Sequence, residues 1–213
     1  MTHSAHRLAT EAELQRDYVL FVRPAKGFDD VDEATVTNTL RRTRELADVA
    51  HKHGPVNLGR TGADCLAQGE DFESIMSKPK LNGFMSVFTE KEKFKAVLAE
   101  FKKIDAGYSV VASGHTEEIF GVCKEIGLKP HTVLFSLGIW GKKEMLPETD
   151  YLKITTLCGH SMVPPKTIRH CVSKIRQGEM TLEEAVKKVS KPCPCGIFNP
   201  ARTAEVLKKL TDE

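Results

Sequence analysis

Three cysteines have a type and spacing that point to chemistry: Cys193 and Cys195 in KPCPCGIFNP, and Cys158 in TTLCGHSMVPP. Both segments are stiffened by proline and opened by glycine, so their shape is largely set before a ligand arrives. Loops of this kind lower the entropy cost of gathering ligands and leave main-chain N–H groups free to face sulfur. The second loop runs into a helix start at Asn199 and Pro200, whose positive end favours thiolates or an anionic centre. Three thiolates fit a [4Fe–4S] cluster in which one iron lacks a cysteine ligand. By analogy with catalytic metal sites that keep an open position, such an iron acts as a Lewis acid on a small anionic substrate. The expectation is an oxygen-sensitive, [4Fe–4S]-dependent lyase or hydrolase of anaerobic metabolism, catalysing elimination, hydration or desulfuration.

The competing metal is zinc. Cys158, His160, Cys193 and Cys195 would make a Cys3His set, although C-x-C and C-x-H are tighter than the usual two-to-four-residue gap. A fourth ligand can come from Cys65, His160 or a partner chain. A fourth cysteine favours an electron carrier or scaffold subunit of a larger redox complex, and zinc favours a stapled binding module. Cys123 and Cys171 fall on core-facing helix positions, where a free cysteine acts as a small hydrophobe.

His160, two residues from Cys158, is the candidate acid/base beside the metal. Arg60, in NLGRTGADC with Asp64 and Cys65, is the candidate grip on a substrate carboxylate. At the strand–helix junction ASGHTEEIF, Ser113, Gly114, His115 and Thr116 can present N–H groups and side chains to a phosphate or carboxylate. The junction has neither G-x-G-x-x-G nor a P-loop lysine, so neither nucleotide fingerprint is met.

Strands and helices must position these residues. DYVLFVRPA (17–25) has the dense apolar run of a buried strand, stopped by Pro24. Residues 35–54 place Val36, Leu40, Thr43, Leu46, Ala47 and Ala50 at helical spacing, and Gly54 supplies the stop. The glycine-rich stretch 55–71 reads as a loop. Strands follow at 81–89, 108–114 and 131–141. A helix with Phe94, Val97, Leu98 and Phe101 on one face, and a possible capping box from Thr89 to Glu92, follows the first; a helix over 115–127 follows the second. This rhythm predicts an α/β layer, arranged either as a small parallel sheet or as a split βαβ (α+β, ferredoxin-like).

The texture changes near residue 150. Three short helices are expected after Pro165, the second opened by a Thr181–Glu184 capping box, so residues 1–150 are read as the α/β domain and 151–213 as a small helical, cysteine-containing subdomain. Net charge is +2 over 213 residues, but 1–150 carry 20 basic and 23 acidic side chains against 11 and 6 in 151–213. The basic C-terminal part favours an anionic ligand or offsets an anionic centre. The small net charge gives no sign of nucleic-acid binding, and no apolar run approaches the roughly 20 residues that span a bilayer. The polar N-terminus lacks the apolar core of a secretory signal. A cytoplasmic setting is expected, where clustered cysteines bind metal more often than they form disulfides.

Overall fold

The computed structural model describes residues 7–25, 32–62 and 65–212. A one-turn helix, α1 (Glu11–Leu14), opens on a capping box between Thr10 and Glu13 and leads into β1 (Tyr18–Pro24). Next come α2 (Glu33–Lys52), with Asp32 accepting from the Thr35 N–H as N-cap, and the three-residue β2 (Asn57–Gly59). After a 3-10 turn at Leu66–Gln68, the short α3 (Phe72–Ser77) precedes β3 (Phe84–Phe88), α4 (Lys91–Ile104), β4 (Tyr108–Ser113) and α5 (Thr116–Glu125).

The strands lie in the order β2-β3-β1-β4, and every neighbouring pair is antiparallel. With the connectivity β1-α2-β2-β3-α4-β4, this is the split βαβ arrangement, ferredoxin-like rather than a parallel sheet: β3 lies between β1 and β2, which the α2 crossover connects. Helices cover both faces. On the first, α2, α4 and α5 enclose Leu20, Val22, Leu46, Phe84, Phe94 and Val97. On the second, Val19, Met85 and Val87 meet four C-terminal helices: α6 (Thr149–Thr155), α7 (Pro165–Arg176), α8 (Leu182–Ser190) and α9 (Pro200–Asp212). α6 begins at Thr149, and α6 to α9 share their core with the sheet.

Two local expectations are corrected. Residues 131–141 form no strand. They carry no regular structure, and Leu134, Phe135, Leu137 and Trp140 are all at least 65% exposed. Apolar composition alone made the segment resemble a buried strand, but it has no neighbour in this sheet. The Thr89–Glu92 capping box is also not formed: Glu90 precedes α4 and makes no side-chain cap bond. The Thr181–Glu184 box is present, and Asn199 caps α9 by accepting from the Arg202 N–H at 3.1 Å.

Candidate metal centre

Cys158 lies just after α6, and Cys193 and Cys195 lie in the turn between α8 and α9; all three are buried in the second core. The fold adds a fourth. Cys65, also buried, forms an isolated bridge with Gly59 at the end of β2, which brings it to the Cys193–Cys195 turn. The close approach depends on two glycines. A Cβ on Gly59 would stand 2.6 Å from the Cys65 Cβ and 2.8 Å from the Gly196 Cα, and one on Gly196 would stand 2.5 Å from the Gly59 Cα. Gly196 also has φ +82°, a left-handed conformation that favours glycine.

Hydrogen bonds join the two loops. The Gly62 N–H donates to the Pro194 carbonyl at 3.1 Å, and the Gln68 amide to the Cys193 carbonyl at 3.0 Å. The Ser190 hydroxyl donates to the Ala67 carbonyl at 3.0 Å. Buried Asn57 donates to the Phe198 carbonyl at 2.8 Å, accepts from the Ala67 N–H at 3.0 Å, and has its side chain hydrogen-bonded to Cys65. Behind the cysteine turn, fully buried Asp17 accepts from Arg7, Arg202 and Asn199, with Arg202 Nη1 at 2.6 Å from Oδ2 and Asn199 Nδ2 at 2.9 Å from Oδ1. Arg7 also donates to the Ile197 carbonyl.

Each sulfur faces the main-chain N–H of the residue two positions ahead: Cys65 that of Ala67, Cys158 that of His160, Cys193 that of Cys195, and Cys195 that of Ile197. Gln68 and Met162 add further N–H groups toward Cys65 and Cys158. The thiols also affect one another. Burial, with the Cys193 charge, pushes the Cys65 thiol up to about 11. The hydrogen bond with Cys193, and then burial, raise Cys158. In Cys193, a bond from Cys158 that favours the thiolate is outweighed by Cys195 and burial, so the net shift is upward. The bond with Cys193 lowers Cys195.

Cys193 Sγ and Cys195 Sγ are 3.9 Å apart. Among the described residues, no group of three or more His, Cys, Asp or Glu side chains is placed to hold a metal ion. The donor set nevertheless fits a soft-metal centre in its chemistry: four buried thiols, each with an N–H donor toward sulfur. To bind, the sulfurs must close on the ion or cluster as they lose their protons.

The other candidates are placed elsewhere or used differently. His160 has an exposed side chain, and its main-chain N–H faces Cys158. Arg60 is buried, with its guanidinium donating to the carbonyls of Gly83 at 3.2 Å, Lys78 at 2.9 Å and Lys80. It clamps the turns ahead of β3 and is not presented as a surface grip for an anion. Asp64 lies outside the described residues. Ser113 ends β4, and Gly114 packs against Asp17 and Tyr18. His115 precedes α5 with Nε2 3.5 Å from a Glu11 carboxylate oxygen, and Glu117 and Glu118 follow Thr116 in the first turn, so acidic groups crowd this junction. Cys123 and Cys171 sit on the core faces of α5 and α7.

Sequence reasoning did not select Asn57, Gly59, Gln68 or Asp17. Each acts across a separation the linear pattern does not encode, 141 positions for Asn57 and Phe198. No helix among the described residues is long and apolar enough to cross a membrane. Set against family models, curated proteins and solved structures, the chain matches none of them.

Proposed function

We propose that this chain is an iron–sulfur protein in which Cys65, Cys158, Cys193 and Cys195 hold a [4Fe–4S] cluster, and that it serves as an electron carrier or as the cluster-bearing subunit of a redox complex. The observation that carries the proposal is the four-sulfur set, buried and supplied at every member with an N–H from two residues ahead. Neutral thiols gain little from such donors, whereas thiolates gain a charge-assisted bond. Four adjacent thiolates repel one another, so the arrangement suits a cationic metal core.

When bound, a [4Fe–4S] centre supplies one-electron redox chemistry at a potential tuned by hydrogen bonds to sulfur and by burial. The chain's residues set both. The N–H groups of Ala67, His160, Cys195 and Ile197 face the sulfurs, and α6 to α9 exclude water. Cys65 favours electron transfer over substrate chemistry at an open iron, because it offers the ligand that an open iron lacks. Lewis-acid chemistry on a small anion requires Cys65 to stay off the metal, with His160 at the rim as acid or base.

One distance favours a zinc staple as the second candidate. Two sulfurs on a tetrahedral zinc with bonds of about 2.3 Å lie about 3.8 Å apart, close to the 3.9 Å between Cys193 and Cys195.

The deciding experiment is iron, sulfide and zinc analysis after anaerobic purification, with the visible spectrum recorded. About four iron and four sulfide per chain, brown and bleached by air, is the expected result. About one zinc in a colourless, air-stable protein selects the staple. Neither metal at stoichiometry defeats both. Cys65→Ser then tests the fourth ligand: the reduced cluster's EPR spectrum should change, and an unchanged spectrum with full iron content returns the open iron.

A further inference from the structure

Every residue of the segment 131–146 is exposed, and its apolar side chains run from Val133 to Leu146. Leu137 is 84% exposed, Trp140 80% and Met145 75%. An apolar surface of this extent marks an interaction site. Two features say what covers it. The first is charge. Lys124 and Lys129 line the same surface hollow as Phe120 and Val133, and Lys142 and Lys143 follow Trp140 after one glycine. All four lysines are exposed. No acidic residue occurs between Glu125 and Glu144, and Glu125 is itself paired with Lys95 at 3.0 Å. The second is Trp140. Its indole N–H donates to the Leu137 carbonyl at 2.9 Å, so the ring can leave water without orphaning its donor.

We infer that this segment seats the chain on the surface of an anionic lipid bilayer. Leu134, Phe135, Leu137 and Trp140 enter the headgroup layer, and the lysines lie against the lipid phosphates. Burial of apolar area and attraction to anionic headgroups add together at such a surface, and tryptophan settles at that depth. The backbone favours lipid over a protein groove. Protein grooves take a strand, an amphipathic helix or a polyproline helix. Residues 131–142 carry no helix or strand, and Gly138 and Gly141 each hold φ +89°. A lipid surface sets no such requirement. The same backbone keeps the contact shallow. In hydrocarbon each main-chain N–H and C=O would need a partner, whereas the headgroup layer supplies water. The segment lies on the bilayer and does not cross it. The inference does not depend on what the cysteines hold.

Trp140 is the one tryptophan of the chain, so its fluorescence reports on this segment alone. The full chain is mixed with vesicles of phosphatidylcholine, and with vesicles containing about one third phosphatidylglycerol. The expected result is sedimentation with the anionic vesicles only, and a blue-shifted emission that brominated lipid quenches. Leu137→Asp should stay in solution with its far-UV CD unchanged, because Leu137 is exposed. Lys142→Ser with Lys143→Ser should weaken binding at least about tenfold, at about fivefold per lysine. No sedimentation overturns the inference, as does equal binding to neutral vesicles or undiminished binding of Leu137→Asp. Trp140 shielded from iodide without lipid, in a chain that light scattering finds dimeric, assigns the surface to a second copy and also overturns it.

Discussion

At the residue scale, the contact between Gly59 and Gly196 does most to bring the thiols together. No larger residue fits either position without moving backbone. Gly59→Ala or Gly196→Ala should push the Cys65 loop off the Cys193–Cys195 turn. The expected loss is at least about tenfold in metal retention, on the order seen when groups behind metal ligands are removed. Competition against a chelator measures it. Gly121→Ala is the matched control. Its Cβ meets nothing within 4 Å, it sits inside α5, and it should leave metal content unchanged while stabilising the helix by up to about 1 kcal/mol. The sequence made Cys158, Cys193 and Cys195 legible because proline and glycine flank them. Cys65 was only one of several possible fourth ligands, because nothing local distinguishes a cysteine whose partners lie far along the chain. Arg60 has the residue type of an anion grip, and only the positions of three carbonyls reveal it as a clamp.

At the element scale, buried ion pairs tie the end helices to the sheet. Asp17, just before β1, holds Arg7 and Arg202, and Arg202 stands in the first turn of α9. Asp17→Ala leaves two buried guanidinium groups with no carboxylate between them. The expected cost is about 3–5 kcal/mol, read from urea unfolding. The contact between α1 and α6 has a pH signature. Burial works to raise the Glu13 carboxyl, but the Thr10 main chain and hydroxyl and the Lys153 ammonium outweigh it and hold the group at about 2, below its ordinary 4.5. A folded-state value below the unfolded one stabilises the protein above about pH 4.5, and that stability is lost as pH falls toward 2. Glu13→Gln should flatten this part of the acid-unfolding curve, and a curve of unchanged steepness would remove the assignment. Helical periodicity made α2, α4, α5 and α7 legible, capping residues did so for α8 and α9, and apolar runs for β1, β3 and β4. The three residues of β2 are too few to show alternation, and the seven of α6 make barely two turns, too few to set a helical period.

At the scale of the whole molecule, the split βαβ topology decides which contacts are distant in sequence. The bond from Asn57 to Phe198 closes a separation of 141 positions. For a flexible chain, closing a loop of that length costs about 4 kcal/mol by the logarithmic length term. Contacts within α6 to α9, and the β1–β3 and β1–β4 pairings, close shorter loops. The loop lengths predict that Cys123 and Cys171 are enclosed through nearer neighbours before Cys65 reaches Cys193 and Cys195. Pulse alkylation during anaerobic refolding should find Cys123 and Cys171 protected while Cys65 still reacts, and simultaneous protection of all three would contradict that order. While the chain collapses, Cys65 stays far along it from Cys158, Cys193 and Cys195. Their meeting becomes a checkpoint that only a nearly finished fold can pass.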